Sequence, residues 1–254
     1  MDEVARTVVA LVILVLVAGL VPLVDGVRQA RAVTWSATRA AAQLLVVGLV
    51  IGAVFRAPLA VLPVLAVMVV AATATVTPRL AELPSRSRWS RPVAVVGAVA
   101  SGAAVAIAAI FASGALAPEV RNLVALGGIT IGGAMTASTL AGRRFVAELR
   151  ARRAEVEGKL ALGATMRQAT AELVGVAVAE ALVPALDQTR TTGLVTLPGA
   201  FVGALFGGAS PLAAARFQLL VLVGLLAAES VAAVVLLRLL DDLPFLPTAT
   251  GPPP

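Results

Sequence analysis

The sequence contains no cysteine and no histidine, and only 13% of its 254 residues are charged. Without cysteine there is no disulfide or thiolate metal site, and without histidine there are no imidazole ligands and no imidazole acid–base catalysis. Hydrophobic residues make up 59% of the chain, and the mean hydropathy is +0.99. Because so little polar surface cannot cover a water-soluble globule of this length, the composition predicts an integral membrane protein.

Apolar runs of the length needed to cross the hydrocarbon core recur along the chain. Seven spans are predicted, over residues 6–24, 38–55, 59–76, 93–116, 123–141, 194–208 and 217–240. Backbone at membrane depth must bond to itself, so we expect an all-α membrane protein. One integral membrane domain is expected over residues 1–242, followed by a disordered, Pro-rich tail over 243–254.

Two segments need separate interpretation. The first apolar run is preceded by Asp2 and Glu3 where a signal peptide carries basic residues, so it is predicted to be a retained span. Residues 173–186 are apolar but short and include Glu180. A carboxylate at a helix centre costs about 2.5–3.5 kcal/mol to insert, which favours an interfacial or packed amphipathic helix over an eighth span.

The arginines predict the orientation. With the N-terminus outside, only Arg6, Arg56, Arg121 and Arg216 lie on the outer side. The inner side then holds Arg28, Arg31, Arg39, Arg79, Arg86, Arg88, Arg91, Arg190, Arg238 and the basic residues between 142 and 172. This asymmetry follows the positive-inside rule and predicts a multi-pass protein of the cell inner (plasma) membrane. The net charge of +6 therefore reports orientation in a lipid bilayer and does not indicate a nucleic-acid partner.

Residues 142–172, here called the basic segment, carry seven of the twenty basic residues. Phe145, Leu149, Val156 and Leu160 recur at helical spacing, so the fifth span should continue as an amphipathic helix. Gly163 indicates a helix end, and the sequence from Thr165 to Gln168 fits a capping box that starts a new helix. The sequence predicts a cytoplasmic helix–turn–helix, within a coupling region of about 142–190.

Such a segment is either a solvated charged loop or a docking element. The spacing of Glu157 and Gly163 is similar to the coupling motif of ABC importer permeases, which docks on an ATP-binding subunit, although the apolar–proline ending of that motif does not fall at the expected distance. The residues that would contact the ATPase are Glu157, Lys159, Leu160, Gly163, Ala164 and Thr165.

Several further stretches together resemble the FetB family, the permease subunits of a bacterial iron-export ABC transporter. They are WSATRAAAQLL at 35–45, KLALGAT at 159–165, ALVP at 181–184 and GLVTLPG at 193–199, with Asp187, Thr191, Pro211 and Gln218. The resemblance implies a permease that exports iron in a complex of two permeases and two ATPases. ATP would then bind the partner and no cofactor this chain, which agrees with the absence of a GxxxxGK[ST] motif from the sequence.

The chain departs from the family pattern at two positions. Gly133 stands where the family has an asparagine, which removes a polar amide at membrane depth. Gly158 stands where the family has a glutamate, with Glu157 one place earlier. The first departure leaves the cargo open, and the second affects only the detail of docking.

Ionisable groups within the membrane are the first candidates for a transport pathway. Glu229 lies in the middle of the last span, and Arg39 and Gln43, one turn apart in the second span, could face it. A structural bridge between helices is an equal alternative. Asp187 and Arg190 complete the set of charged candidates.

Pro198-Gly199 interrupts the predicted sixth span, and a broken helix exposes backbone groups to a passing ion, although a packing kink is the more common reason. Met135 could make a soft metal contact, but gap filling is the commoner role. The pairs Gly48/Gly52, Gly128/Gly132 and Gly203/Gly207 predict close helix contacts within the bundle or across a dimer.

The cargo and the energy source both remain open. Without His or Cys, iron would meet only carboxylates, carbonyls and a thioether, so a chelate, another metal or a small organic solute are alternatives. A self-sufficient channel or ion-coupled carrier, with Glu229 and Asp187 holding the coupling ions, is the competing hypothesis to an ATP-driven permease. A membrane-embedded enzyme is disfavoured because no histidine base accompanies a nucleophile.

Overall fold

A computed structural model describes residues 2–83, 87, 89–240 and 246. Within these ranges the chain forms α-helices and contains no β-strand, only an isolated bridge between Thr192 and Thr196. The helices are α1 (Glu3–Leu20), α2 (Ala30–Arg56), α3 (Val61–Arg79), α4 (Ser90–Ala112), α5 (Val120–Ala151), α6 (Arg153–Ala161), α7 (Met166–Thr191), α8 (Gly199–Phe206) and α9 (Pro211–Leu240). The predicted all-α class is confirmed. Arg86, Arg88 and nearly all of the predicted tail lie outside the described residues.

Seven of these helices are long and apolar enough to cross a membrane, namely α1, α2, α3, α4, α5, α7 and α9. The number agrees with the prediction, but one member of the set differs. The prediction that residues 194–208 form a separate spanning helix is wrong, because the chain turns at Gly193 (φ +88) and Gly208 (φ +89) and leaves only the eight-residue helix α8 between them.

The predicted short amphipathic helix over 173–186 is also wrong. These residues form the middle of α7, which has 26 residues. The carboxylate of Glu180, which argued against a long helix, accepts a hydrogen bond from Arg144 of α5 at 2.9 Å. A charge partner lowers the cost of a carboxylate near lipid, and this partner is 36 positions away in the sequence.

The chain divides into two compact units after Ala60. The first unit is a hairpin of α1 and α2, joined through a 3-10 turn over Val21–Asp25 and through Gly26, whose φ is +75. The two helices approach closely at Gly19, where a Cβ would lie 3.2 Å from the Cα of Ala30. The hydrophobic side chains of α1 are mostly exposed, as expected for a surface that faces lipid.

The second unit is a bundle in which glycine contacts fix the helix directions. A Cβ at Gly127 of α5 would collide with Leu65 of α3, and a Cβ at Gly142 of α5 would collide with Leu80, the residue directly after α3. Because the order of these contacts is the same along both helices, α3 and α5 run parallel.

Helix α4 runs antiparallel to α9. Gly97 faces Leu239, whose Cδ1 would lie 3.5 Å from a Cβ at position 97, and Gly224 faces Ile110 at 2.9 Å by the same measure. The order of these contacts is reversed between the two helices. Small residues thus bring α4 and α9 close together, as is common for helices in membranes.

Candidate functional site

The basic segment forms the predicted turn and second helix, but its first arm is not the predicted continuous extension of the fifth span, because α5 ends at Ala151 and a separate helix α6 begins at Arg153. Helix α6 ends at Ala161, and Gly163 adopts a left-handed φ of +92 while its N–H donates to the carbonyl of Leu160 at 3.0 Å. Thr165 then caps α7, since its Oγ1 accepts from the Gln168 N–H at 3.3 Å and its own N–H donates to the Gln168 side chain at 2.8 Å. The predicted turn and capping box are confirmed.

Arg152, at the junction of α5 and α6, ties the two arms of this element together. Its guanidinium donates to Glu155 of α6 at 2.7 Å and to Glu172 of α7 at 2.8 Å. Lys159 lies 2.7 Å from the same Glu155. Hydrogen bonds from Arg152, and then from Lys159, lower the pKa of Glu155 to about 2. The spacing of Arg152 and Glu155 was visible in the sequence, whereas the contact with Glu172 was not.

Most of the predicted coupling residues hold the element in shape. Glu157 pairs with Arg153 at 2.7 Å, and Leu160 and Ala164 pack against the hydrophobic core. The side chain that the turn presents outward is instead Leu162, which is 90% exposed at the tip. An apolar side chain held this way on a rigid turn is suited to insertion into a partner, and sequence periodicity did not single it out.

Two ion pairs fix the register between α5 and α7. Arg144 pairs with Glu180, and Arg152 pairs with Glu172, so eight positions forward along α5 correspond to eight positions back along α7. The helices are therefore antiparallel. If this register is extended, the end of α7 at Thr191 comes level with Gly133 of α5.

Gly133 is also the point where Glu229 of α9 is packed. Glu229 is only 8% exposed, and a Cβ at position 133 would lie 2.7 Å from its Oε1 and would collide with Leu225. The carboxylate thus occupies space that a side chain at position 133 would need. Within the described part of the chain, Glu229 makes no hydrogen bond or ion pair. Arg39 and Gln43 belong to the first unit, and their facing Glu229 stays a prediction.

A cavity of about 430 Å³ lies between the segment that follows α7, helix α8 and the first half of α9. Its lining includes Thr192, Gly193, Pro198 and Gln218, together with apolar side chains. Gln218 is 5% exposed, and its buried Oε1 has no hydrogen-bond partner among the residues described. A buried orphan acceptor is uncommon in folded proteins and indicates a donor yet to be supplied. Pro198, a predicted pathway residue, lines this cavity together with the Gln218 side chain, and it is also the N-cap residue of α8.

The other pathway candidates do not converge on one site. Asp187 and Arg190 lie on the exposed side of α7, with 3.6 Å between Arg190 Nη1 and Asp187 Oδ1. Met135 packs against the hydrophobic core, in agreement with a gap-filling role. No group of three potential metal-ligating side chains of the His, Cys, Asp or Glu type occurs in the described ranges.

Comparison with known sequences places this architecture in a family. Residues 5–243 match the family described as "Uncharacterised protein family (UPF0014)". The chain belongs to the UPF0014 family. Among curated relatives, it is 30% identical over 228 residues to "Probable iron export permease protein FetB" of Escherichia coli (strain K12), covering 87% of this chain and 85% of that protein.

Two further UPF0014 relatives show how widely the family occurs. The chain is 34% identical over 202 residues to "UPF0014 membrane protein STAR2" of Oryza sativa subsp. japonica, which covers 79% of this chain and 69% of that protein. It is 31% identical over 201 residues to "UPF0014 membrane protein YjkA" of Bacillus subtilis (strain 168), covering 78% of each. No solved structure matches the chain. The predicted FetB resemblance is thus confirmed, and the chain is a multi-pass membrane protein of a permease family.

Proposed function

We propose that the chain is the permease subunit of an ABC transporter that exports a metal ion or a small solute, with iron as the first cargo to test. The observation that carries the proposal is the similarity to a protein named as an iron export permease, which extends over 87% of this chain. Two permeases and two ATP-binding subunits form the complex, and ATP binds only the ATPases. The cell inner membrane is its location.

The α6–turn–α7 element is the contact for the ATPase. Its two arms are held together by Arg152, and its tip presents Leu162 to solvent. Because the ion pairs of Arg152 connect α6 to α7, the element would move as one body. A displacement of the ATPase surface that contacts Leu162 would therefore displace α5 and α7 as well. The ion pairs are partly exposed, and we therefore assign them to rigidity and not to global stability.

Orientation follows from the revised set of crossings. With α7 as the first part of the sixth crossing, the basic segment and Arg238 stay inside, while Arg190 moves from the predicted inner side to a position within that crossing. The alternating directions of α3, α4, α5, α7 and α9 fit this path. The N-terminus lies outside, and the helix–turn–helix faces the cytoplasm.

The cargo passes the break between α7 and α8. The end of α7 is level with Gly133, near the middle of the apolar part of α5, so residues 192–198 and α8 complete the sixth crossing as a broken helix. Broken helices supply backbone carbonyls and amides to substrates at the membrane midplane. Pro198, Gln218, Asp187 and Arg190 lie along this broken crossing, whereas Glu229 is packed between α5 and α9.

The test is ATP-dependent transport by a purified complex. The permease is extracted from its native host in a mild detergent, any co-purified ATPase is identified, and both are reconstituted in liposomes loaded with a fluorescent iron reporter. The proposal expects an ATP-binding partner and ATP-dependent iron movement, with no movement when a catalytically inactive ATPase is used. Movement of iron by the permease alone would replace the proposal with the self-sufficient carrier.

The same preparation distinguishes iron from another solute as the cargo. ATP hydrolysis that is stimulated by the permease but not by iron would keep the ATPase assignment and reject iron as the cargo.

A further inference from the structure

A small pocket lined largely by arginine lies where α3 and α5 leave the apolar part of the bundle. Arg79 at the end of α3 and Arg143 and Arg150 on α5 line it, with a volume of about 310 Å³. Glu82 is the acidic residue in the lining. Three guanidinium groups face one carboxylate, so the pocket is strongly positive.

Among the residues that the structure describes, the charges of this pocket are not balanced. Glu82 is engaged by Arg150, with 2.9 Å between Oε2 and Nη1. The Nε of Arg150 is nevertheless buried without a hydrogen-bond partner. Neither Arg79 nor Arg143 forms an ion pair or side-chain hydrogen bond within the part of the chain that is described. By contrast, the nearby Arg144 and Arg152 each form an ion pair with a glutamate.

We propose that this pocket binds the phosphate of an anionic phospholipid headgroup. Guanidinium groups present parallel N–H donors that match phosphate oxygens, and basic pockets between membrane helices bind lipid headgroups. Its position fits a headgroup, because Arg143 follows directly on the apolar stretch of α5 that ends at Gly142.

The adjoining surface of α3 favours a lipid over a soluble phosphate. Val67 and Val70 of α3 are 67% and 65% exposed, and both precede Arg79 along the same helix. Acyl chains that run from a headgroup in the pocket into the membrane can contact these exposed apolar side chains of the same helix. A free phosphate would use the pocket but not this face.

The pocket would also give the lipid a structural role. Arg79 and Arg143 belong to different helices, α3 and α5, which run parallel and touch at Leu80 and Gly142. A phosphate held between these two guanidinium groups would hold the two helices together on the side of the bundle that carries the basic segment.

The test is lipid binding by the full-length chain in detergent, followed by native mass spectrometry with phosphatidylglycerol or with phosphatidylcholine. Wild type should retain phosphatidylglycerol and lose phosphatidylcholine. Arg79→Gln combined with Arg143→Gln should weaken the anionic lipid by about tenfold or more, the scale for two basic groups near an anionic surface. Arg216→Gln combined with Arg238→Gln removes the same charge from exposed positions of α9 outside the pocket, and should bind like wild type.

A second variant, for which the expected change in lipid affinity is an increase, separates a specific effect on the pocket from misfolding. Glu82→Gln removes the acidic lining residue and frees Arg150, so it should bind phosphatidylglycerol more tightly than wild type. Equal binding of both lipids by wild type, or equal loss in the pocket and control variants, would overturn the proposal. So would displacement of the lipid by an equimolar amount of inorganic phosphate, which would assign the pocket to a soluble anion. Loss of the co-purified ATPase with unchanged lipid binding would assign it to the partner subunit instead.

Discussion

Replacing Gly163 by alanine tests whether the shape of the turn matters for coupling. Gly163 has φ +92, and a side chain in a left-handed conformation costs about 1–2 kcal/mol. A Cβ there meets nothing within 4 Å, so the strain is confined to the backbone. If the ATPase binds only the formed turn, this strain weakens its affinity by roughly 5- to 30-fold.

Gly158 provides the matched control. It lies within α6, and a Cβ at this position also meets nothing within 4 Å. Glycine within a helix is less stable than alanine by about 0.5–1 kcal/mol, so Gly158→Ala should stabilise α6 and preserve coupling. The same chemical change, five positions apart, is thus expected to act in opposite directions.

The assay is ATPase affinity for the detergent-solubilised permease, together with ATP-dependent transport in liposomes. Gly163→Ala should show a roughly 5- to 30-fold weaker affinity and reduced transport, whereas Gly158→Ala should retain wild-type affinity and transport. Thermal unfolding serves as the control for global folding. Wild-type affinity for Gly163→Ala, or an equal loss in the two variants, would refute the reasoning.

Three further predictions concern other parts of the molecule. Leu162→Asp should abolish ATPase binding and leave the unfolding temperature unchanged, because Leu162 is exposed at the tip; a retained partner would contradict it. Gly133→Ala should destabilise the detergent-solubilised protein by about 1–3 kcal/mol, as its Cβ meets Leu225 and Glu229, whereas Gly132→Ala, with open space around it, should be neutral. The pKa of Glu155 is lowered to about 2 from 4.5, so its ion pair with Arg152 stabilises α6 fully above pH 4.5, and this stabilisation is lost as the pH falls from 4.5 towards 2. The protection factors of the α6 amides, corrected for the intrinsic exchange rate at each pH, should fall over that range in wild type and should change less in Arg152→Gln.

Local signals in the sequence were sufficient for the helix–turn–helix. A glycine at a helix end and a threonine three residues before a glutamine act on their immediate neighbours, so their effect can be derived without knowing the fold. The prediction therefore placed the turn at Gly163 and the new helix after Thr165. The partner of Arg152 on α7 required the tertiary structure, because Glu172 is twenty positions away.

The full length of α7 could not be predicted from the sequence, because the contact that accommodates Glu180 is long-range. Glu180 was assigned a cost that Arg144 offsets from another helix. Hydropathy instead favoured 194–208, where two turns leave only the short α8. The interruption at Pro198-Gly199 was predicted from the sequence. Its level relative to α5 follows only from the ion pairs that set the register of α5 and α7.

Spacing also failed to identify which glycines make close contacts. Of the predicted pairs, Gly48, Gly52, Gly132 and Gly203 have open space where a Cβ would lie, with no neighbour within 4 Å, so the predicted contact across a dimer stays a prediction. The close approaches are made at single glycines such as Gly102, whose Cβ would collide with the carbonyl of Ala228. The helices of the bundle are rich in small residues, so the face that packs is set by tertiary structure.

The central claim is that a cytoplasmic ATPase binds the tip of the helix–turn–helix. The chain has no cysteine, so Leu162→Cys gives a single thiol at a position that is 90% exposed. Intact cells and inverted membrane vesicles are treated with a membrane-impermeant maleimide, with and without the ATPase present. The account predicts labelling in inverted vesicles alone, and protection of the thiol by the ATPase. Labelling of intact cells would place the tip on the outer face and contradict it.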